Sequence, residues 1–407
     1  MTLKDKTVLV IGAGVLQAPG IRRAARMGLR VLATDMDPHA PGFAAAHGHA
    51  VISTLDIPQT IEYAKRNNIN GVFTLATDAP LNTVAAVAEA CGLPGPAPDV
   101  ARAATHKHRM KKVLSGAGVP CPGFELARSA PQALRAACRI GWPVVTKPMM
   151  GSGSRGVILA YTEKELQAAY RVARQVSHVR GVLIEEFARG RHVCVETFSW
   201  RGRHRVLCVI ERTVTGPPHF VELEHRFPST FEKKILLQME ETAVAGLHAL
   251  GIESGPAHID MIVTERGPLI SEIGARLDGD YKSSHFMPLV FGYDIIADTI
   301  RTAVGHPPLL FHRNMVLQPR TTLCIHYLQP APGVVKKITG KCAVRAARGV
   351  CYAAVDLFRG TEIKPFTSSL DRVGVVIARG RTRARARNNA HAAAAQLHIE
   401  YNNGTHS

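Results

Sequence analysis

Asp260 and Glu272 stand where two acids can hold a metal ion. The run His258-Ile259-Asp260-Met261-Ile262-Val263 alternates as a strand does, turns at Arg266-Gly267-Pro268 and returns as Leu269-Ile270-Ser271-Glu272-Ile273. Directly opposed residues on such a pair lie about 5 Å apart, so the two carboxylates can chelate one hard cation such as Mg²⁺. A surface hairpin with unrelated acids is the competing reading, and the pair alone does not decide between them. A second constellation lies upstream, where Lys147 leads into Met149-Met150-Gly151-Ser152-Gly153-Ser154-Arg155-Gly156-Val157. Gly151, Gly153 and Gly156 let backbone N–H groups converge, Ser152 and Ser154 add hydroxyl donors, and the lysine supplies positive charge, a composition that suits phosphate. The G-x-x-x-x-G-K-[ST] order of a P-loop is absent, and the loop joins two strands instead of opening a helix. An unliganded Gly/Ser hairpin would have the same composition. Lys107 offers a second cation, and Leu183-Ile184-Glu185-Glu186-Phe187 runs an apolar strand into two further acids.

These residues need a scaffold, and the sequence predicts an α/β one. Thr7 to Ile11 reads as a strand, Gly12-Ala13-Gly14 as a turn, the stretch to Gly28 as a helix and Arg30 to Thr34 as a second strand ending at Asp35. Two glycines and an acid invite a dinucleotide reading, but Gln17 replaces the third glycine and Pro19 follows, so the glycines are read as turning the chain only. Gly71 to Leu75 reads as another strand, with Thr77-Asp78 at its carboxyl end, where ligands bind in such sheets or where Asp78 simply caps the helix from about Asn82 to Cys91. The run Leu93-Pro94-Gly95-Pro96-Ala97-Pro98 marks a boundary. A smaller α/β segment follows, with strands at Pro143 to Thr146 and Gly156 to Ala160 and a helix from Glu163 to Gln175.

Composition narrows the class. Of 407 residues, 46% are apolar and 20% charged, which excludes a disordered or fibrous chain and predicts two or three domains. Apolar runs such as Val8 to Leu16 fall well short of the roughly 18 to 20 residues a bilayer span needs, and Met1 to Lys6 is polar, so the protein is read as cytoplasmic with no membrane partner. The eight cysteines include no C-x-x-C pair, and most are read as buried thiols. The net charge of +18 is concentrated between residues 311 and 407, which hold fifteen Lys and Arg against four acids. Arg379, Arg381, Arg383, Arg385 and Arg387 could meet nucleic acid, but no aromatic residues interleave with them and on a helix they form no single stripe. A solvated surface is the preferred reading, and nucleic acid is not expected as a partner.

Taken together, His106-Lys107 with Gly118-Val119-Pro120, Val145-Thr146-Lys147-Pro148 with the 151–157 loop, Ile184-Glu185-Glu186-Phe187, and Glu272-Ile273-Gly274-Ala275-Arg276 within 258–280 resemble the ATP-grasp superfamily. Within it, the chain is most similar to carboxylate-amine ligases of the L-amino acid ligase type. The resemblance implies two α+β lobes clamping ATP across 105–310, with a lid at about 120–183. It also implies a Rossmann-like pre-ATP-grasp domain at 1–104 and a small basic C-terminal domain at 311–407. It further implies that Lys107 and Lys147 hold the α- and β-phosphates and that the loop bearing Gly151, Ser152, Gly153, Ser154 and Gly156 closes over the β- and γ-phosphates. Glu185 and Phe187, with Glu186 beside them, would meet the adenine edge, and His192 the ribose. Asp260 and Glu272 would hold Mg²⁺, or Mn²⁺ in its place. Many relatives carry asparagine two residues beyond the second metal carboxylate, and this chain has Gly274 there.

The implied reaction forms an acyl phosphate and ADP from a small-molecule carboxylate, after which an amine displaces phosphate. Lys147 and Arg276 would offset charge on the transferring group, and His225, with Glu222, would orient the amine or accept its proton; a solvated loop is the alternative for that pair. A carboxylase or formyl-transferring ligase of the same fold is the competing function. A homodimer is common for such ligases.

Overall fold

The computed structural model describes residues 3–177, 179–312 and 315–402. Thr7–Ile11 forms the centre of the first sheet, with Val8, Leu9, Val10 and Ile11 all buried, as a parallel strand covered on both faces requires. It pairs in parallel with Arg30–Asp35 and with Gly71–Phe73. Gly48–Val51 adds an edge strand not anticipated from the sequence, since its Gly-His-Ala-Val carries little β-branched character and only half-buries alternate residues. The glycine turn is closed to a dinucleotide by the chain itself. Ala13 N–H donates to the Asp35 carboxylate at 2.7 Å, and Gln17 lies over Gly12 and Gly14 while donating to the Leu75 carbonyl at 2.7 Å.

After the proline-rich link, helices Pro98–Thr105 and Lys107–Gly116 lead into a four-stranded antiparallel sheet. Its order is Phe124–Ala127, Val182–Glu186, Val144–Pro148, Ile158–Ala160. Helices Ala130–Ile140 and Glu163–Val176 turn small buried alanines toward it, and a Thr162/Glu165 capping box fixes the start of the second. The strand expected from Gly156 begins instead at Ile158, because Gly156, at φ +69°, belongs to the loop before it.

The largest sheet has eight strands, ordered Gly267–Gly274, Gly255–Thr264, Arg191–Trp200, Arg203–Val214, Glu222–Phe227, Thr322–Tyr327, Gly374–Gly380, Val350–Val355. Residues on both sides of position 310 therefore share one hydrogen-bonded layer, through the pairing of Glu222–Phe227 with Thr322–Tyr327. A small sheet of Glu362–Ile363, Gly333–Thr339 and His398–Tyr401 completes the C-terminal part. Among the described residues no helix is long and apolar enough to cross a membrane.

The helix Arg383–Ala394 is fastened to the large sheet by its basic residues. Arg383 makes two bonds to the buried Glu211 carboxylate, at 2.8 and 2.7 Å, which Arg191 also meets at 2.7 Å. Arg387 and His391 both reach Glu224. Two of the five tail arginines thus have internal partners that give them a structural task. Burial would raise the Glu211 carboxyl, but bonds from Arg383, Thr230 and Arg191 outweigh it and hold it down at about 2. Its folded value lies below the unfolded one, so its stabilisation is present above the ordinary carboxylate range and is lost as pH falls toward about 2. Glu211→Gln should lower unfolding free energy by about 3 kcal/mol near neutral pH, measured by denaturant titration, because two guanidinium groups lose their counter-charge. The difference from wild type should shrink as the pH is lowered through that window.

Candidate active site

One cleft, of about 510 Å³, runs between the lid sheet, the large sheet and the end of the first domain's Gly71–Phe73 strand. Its floor is the strand pair Gly255–Thr264 and Gly267–Gly274, in which Asp260 and Glu272 are direct cross-strand partners. Each carboxylate is met by a cation. Lys107 Nζ lies 2.6 Å from Glu272 Oε1, and Arg212 Nη2 lies 2.6 Å from Asp260 Oδ1. Both acids keep about a quarter of their side chains open to the cleft, so hard oxygen donors face the space a divalent cation would fill. The donor set fits Mg²⁺.

The lid supplies the second lysine. Lys147 closes the strand Val144–Pro148 and reaches Glu185 Oε2 at 2.6 Å and Ser271 Oγ at 3.1 Å. Glu185 is itself buried and also meets Lys111, which is 1% exposed, at 3.4 Å. Burial would raise the Glu185 carboxyl, but Lys111 and Lys147 together hold it below the ordinary range. Its side chain is directed at the lysines, and the residue lines the cleft. Glu186 also lines the cleft, accepting from Gly123 N–H and pairing with Arg266.

The 151–156 loop arches over the lysines. Gly151, Gly153 and Gly156 all have positive φ, and Ser154 adopts the same region at +57°, so the backbone amides turn in a way L-residues resist. Lys107 donates to the Gly151 carbonyl at 2.9 Å, Ser154 Oγ donates to the Phe220 carbonyl at 3.0 Å, and Ser369 N–H of the C-terminal part donates to Gly153. Ser152 also lines the cleft. Phe187, Phe220 and His192 form an aromatic shelf, with His192 stacked on Phe220 at 6.2 Å and Phe187 5.8 Å from it. Burial pushes the His192 imidazole down to about 4, so it is neutral at physiological pH.

At the far end, acids and cations alternate. Arg276 donates to Asp78 at 2.8 Å and lies 3.7 Å from Asp278, which the buried Lys282 also pairs. Arg212 bridges Asp260 to Glu222, at 2.8 Å from the latter. Arg372 meets Asp280 Oδ1 at 2.5 Å and Glu222 Oε2 at 3.2 Å, and lies over the Tyr327 ring at 3.6 Å. Burial raises the Glu222 carboxyl, with Asp280 adding to the shift against the pull of Arg212, to about 7. His225 lies one layer behind the cleft, 1% exposed and 3.6 Å from Asp280; burial, reinforced by Lys282, pushes it down to about 4. It backs the two acids without reaching the open space, contrary to the expected contact with an amine.

The structure thus brings together Lys107, Lys147, Gly151, Ser152, Gly153, Ser154, Glu185, Glu186, Phe187, His192, Asp260, Glu272 and Arg276 as cleft-lining residues, with Gly156 at the root of the loop. Arg212, Phe220, Tyr327 and Arg372 escaped the sequence reading. Each lies outside any glycine-rich or acidic motif, and only the strand pairing across positions 222–227 and 322–327 brings the last two here.

Residues 140–284 match the ATP-grasp domain family and residues 326–402 match L-amino acid ligase C-terminal domain 2. The chain is 30% identical over 377 residues to an uncharacterized protein, y4rH, of Sinorhizobium fredii, covering 89% of this chain and 76% of that one. It is 27% identical over 410 residues to a formate-dependent phosphoribosylglycinamide formyltransferase of Synechococcus sp., covering 97% of each. In structure it is similar to an L-amino acid ligase from Bacillus licheniformis, with a TM-score of 0.85 at 21% identity, over 98% of this chain and 100% of that one. A cleft built of a glycine flap, two lysines and opposed carboxylates, on a chain with these matches, places the protein in the ATP-grasp superfamily of ATP- and Mg²⁺-dependent ligases.

Proposed function

We propose that the protein joins an amino acid, through its carboxylate, to the amino group of a second small molecule, releasing ADP and phosphate. The observation that carries this reading is the mixed far end of the cleft, where Glu222, Asp278 and Asp280 interleave with Arg212, Arg276 and Arg372. A formate or bicarbonate ion needs cations alone, whereas fixed charges of both signs suit a zwitterion carrying carboxylate and ammonium together. The match to L-amino acid ligase C-terminal domain 2, which contributes Tyr327 and Arg372, points the same way.

Bound as its magnesium complex between Asp260, Glu272 and the lysines, ATP supplies the phosphoryl group that turns a carboxylate into an acyl donor. Lys107 and Lys147, held on Glu272 and Glu185, would turn to phosphate oxygens, Glu185 keeping Lys111 as its partner. The flap excludes water from the acyl phosphate, which would otherwise hydrolyse. The Phe187, Phe220 and His192 shelf offers flat apolar faces to the base and ribose. Arg276, fixed by Asp78 and Asp278, would orient the carboxylate whose oxygen attacks the γ-phosphorus as the bond from that phosphorus to the ADP oxygen breaks; the amine nitrogen would then form the new C–N bond as the C–O bond to phosphate breaks, its proton passing to solvent.

ADP release, followed by a coupled assay over pairs of amino acids, should be stimulated by at least one pair; stimulation by formate or bicarbonate alone would overturn the reading. Lys147→Ala and Glu272→Ala should each lower turnover by about 100-fold or more while circular dichroism stays unchanged. A pH effect is also expected. Glu222 titrates at about 7, neutral below and anionic above, so its own contribution to stability falls as pH rises toward that value while its hold on an ammonium grows. The kcat/KM for the ammonium-bearing substrate should therefore rise through pH 7, and Glu222→Gln should flatten that limb.

A further inference from the structure

A second group of ligand-type side chains lies on the face of the large sheet turned away from the cleft. Glu224 and His326 are direct cross-strand partners on the strands Glu222–Phe227 and Thr322–Tyr327. Their chain neighbours His225 and Tyr327 face the other way, toward Asp280 and Arg372, because successive side chains on a strand point to opposite faces. The helix Arg383–Ala394 covers this back face and brings His391, four residues after Arg387, onto the same carboxylate. One carboxylate oxygen and one nitrogen from each of two imidazoles thus lie within 4.8 Å of one another.

The two oxygens of Glu224 have separate surroundings. Oε2 faces guanidinium groups, Arg387 at 3.1 Å and Arg226 at 3.8 Å, while both imidazoles lie at Oε1. His391 bonds Oε1 through Nε2. His326 Nδ1 lies 3.3 Å from the same oxygen, yet it is buried with no hydrogen-bond partner among the described residues. A buried ring nitrogen left in this way is costly unless something else meets it. The spacing also matches a metal site, since Zn²⁺ bonds of about 2.0 to 2.1 Å place neighbouring donors of a tetrahedron roughly 3.3 Å apart. The His391 side chain is 40% exposed, so an ion can enter from solvent without opening the core. The arginines oppose a dication by their charge, but they also hold the carboxylate where the histidines meet it, as outer partners of ligating acids do. Two imidazoles with one carboxylate suit an ion that bonds nitrogen strongly, Zn²⁺ in preference to Mg²⁺ or Ca²⁺.

We propose that Glu224, His326 and His391 form a binding site for a transition-metal dication, Zn²⁺ foremost, separate from the Mg²⁺ of the nucleotide. The ion would displace to solvent the proton shared by His391 and Glu224, bond His326 Nδ1, and leave a fourth position for water on the exposed side. It would fasten the C-terminal helix to the two strands that carry Glu222 and Tyr327 on their cleft side. The nearby guanidinium charges make it weaker than a closed site of four protein ligands.

The test is calorimetric titration of the untagged full-length protein with Zn²⁺, in buffer holding excess Mg²⁺ and no nucleotide. One tight site per chain is expected, and Co²⁺ in place of Zn²⁺ should give the visible absorption of a four-coordinate nitrogen and oxygen site. His391→Ala, a change on the outer part of the helix, should weaken Zn²⁺ by about 100-fold or more, since even the outer partners of ligands are worth roughly 10- to 100-fold. His326→Ala should do the same, whereas His248→Ala, which alters the surface pair His204 and His248, should leave the tight site unchanged. Saturating Zn²⁺ should raise the melting temperature of the wild type and not that of His391→Ala. Tight Zn²⁺ binding that survives His391→Ala would overturn the proposal. So would wild-type binding no tighter than that of the double variant His326→Ala with His391→Ala, which would leave Glu224 a hydrogen-bonded clamp for the helix and nothing more.

Discussion

The arrangement of this protein depends on charge held in pairs beneath a narrow cleft. Glu272 faces Lys107, Asp260 faces Arg212, Glu185 faces Lys147 and Lys111, and Asp278 faces Lys282 and Arg276. Charges taken out of water cost several kcal/mol each unless a partner compensates them, so each acid of the set needs at least one of these cations beside it. The same constraint prepares the cleft for a polyanion carrying a cation. Acids already near cations accept a metal, and cations already near acids accept phosphate, while net charge changes little.

Three layers of structure hold these pairs in position. The first domain delivers Asp78 from just beyond its Gly71–Phe73 strand, where the Leu75–Leu277 bridge ties it to the loop bearing Arg276. The four-stranded sheet delivers Lys147 and the glycine loop, and the large sheet delivers Asp260 and Glu272 from adjacent strands. The C-terminal part completes the enclosure, with Ser369 bonded to the flap and Arg372 lying on Tyr327 against Asp280 and Glu222. The consecutive residues Asp280 and Tyr281 both adopt positive φ, at +53° and +62°, a cost tolerated where the backbone must aim a carboxylate into a site.

Much of this was legible in the sequence because it depends on local patterning. The alternation in 258–263 and 269–273 predicted the register that opposes Asp260 to Glu272, and the Gly/Ser loop after Lys147 predicted a flap. Long-range pairing was not legible. Nothing in the run 222–227 shows that it joins 322–327, so the arrival of Tyr327 and Arg372 at the cleft could not be read. Nor does sequence reveal on which side of a strand an acid lies once both faces are covered. Glu185 and Glu186 look equivalent as a pair, yet one is clamped by two lysines and the other faces Arg266. Likewise nothing in the sequence shows that the His258 ring fills the space beside Gly274.

The most direct measurement is a crystal structure with Mg²⁺ and a non-hydrolysable ATP analogue. The account predicts a triphosphate beneath residues 151–156, metal density touching Asp260 and Glu272, and both Lys107 Nζ and Lys147 Nζ moved from their carboxylates to phosphate oxygens. A nucleotide bound elsewhere, with Lys107 still clasping Glu272 and Lys147 still clasping Glu185, would contradict it.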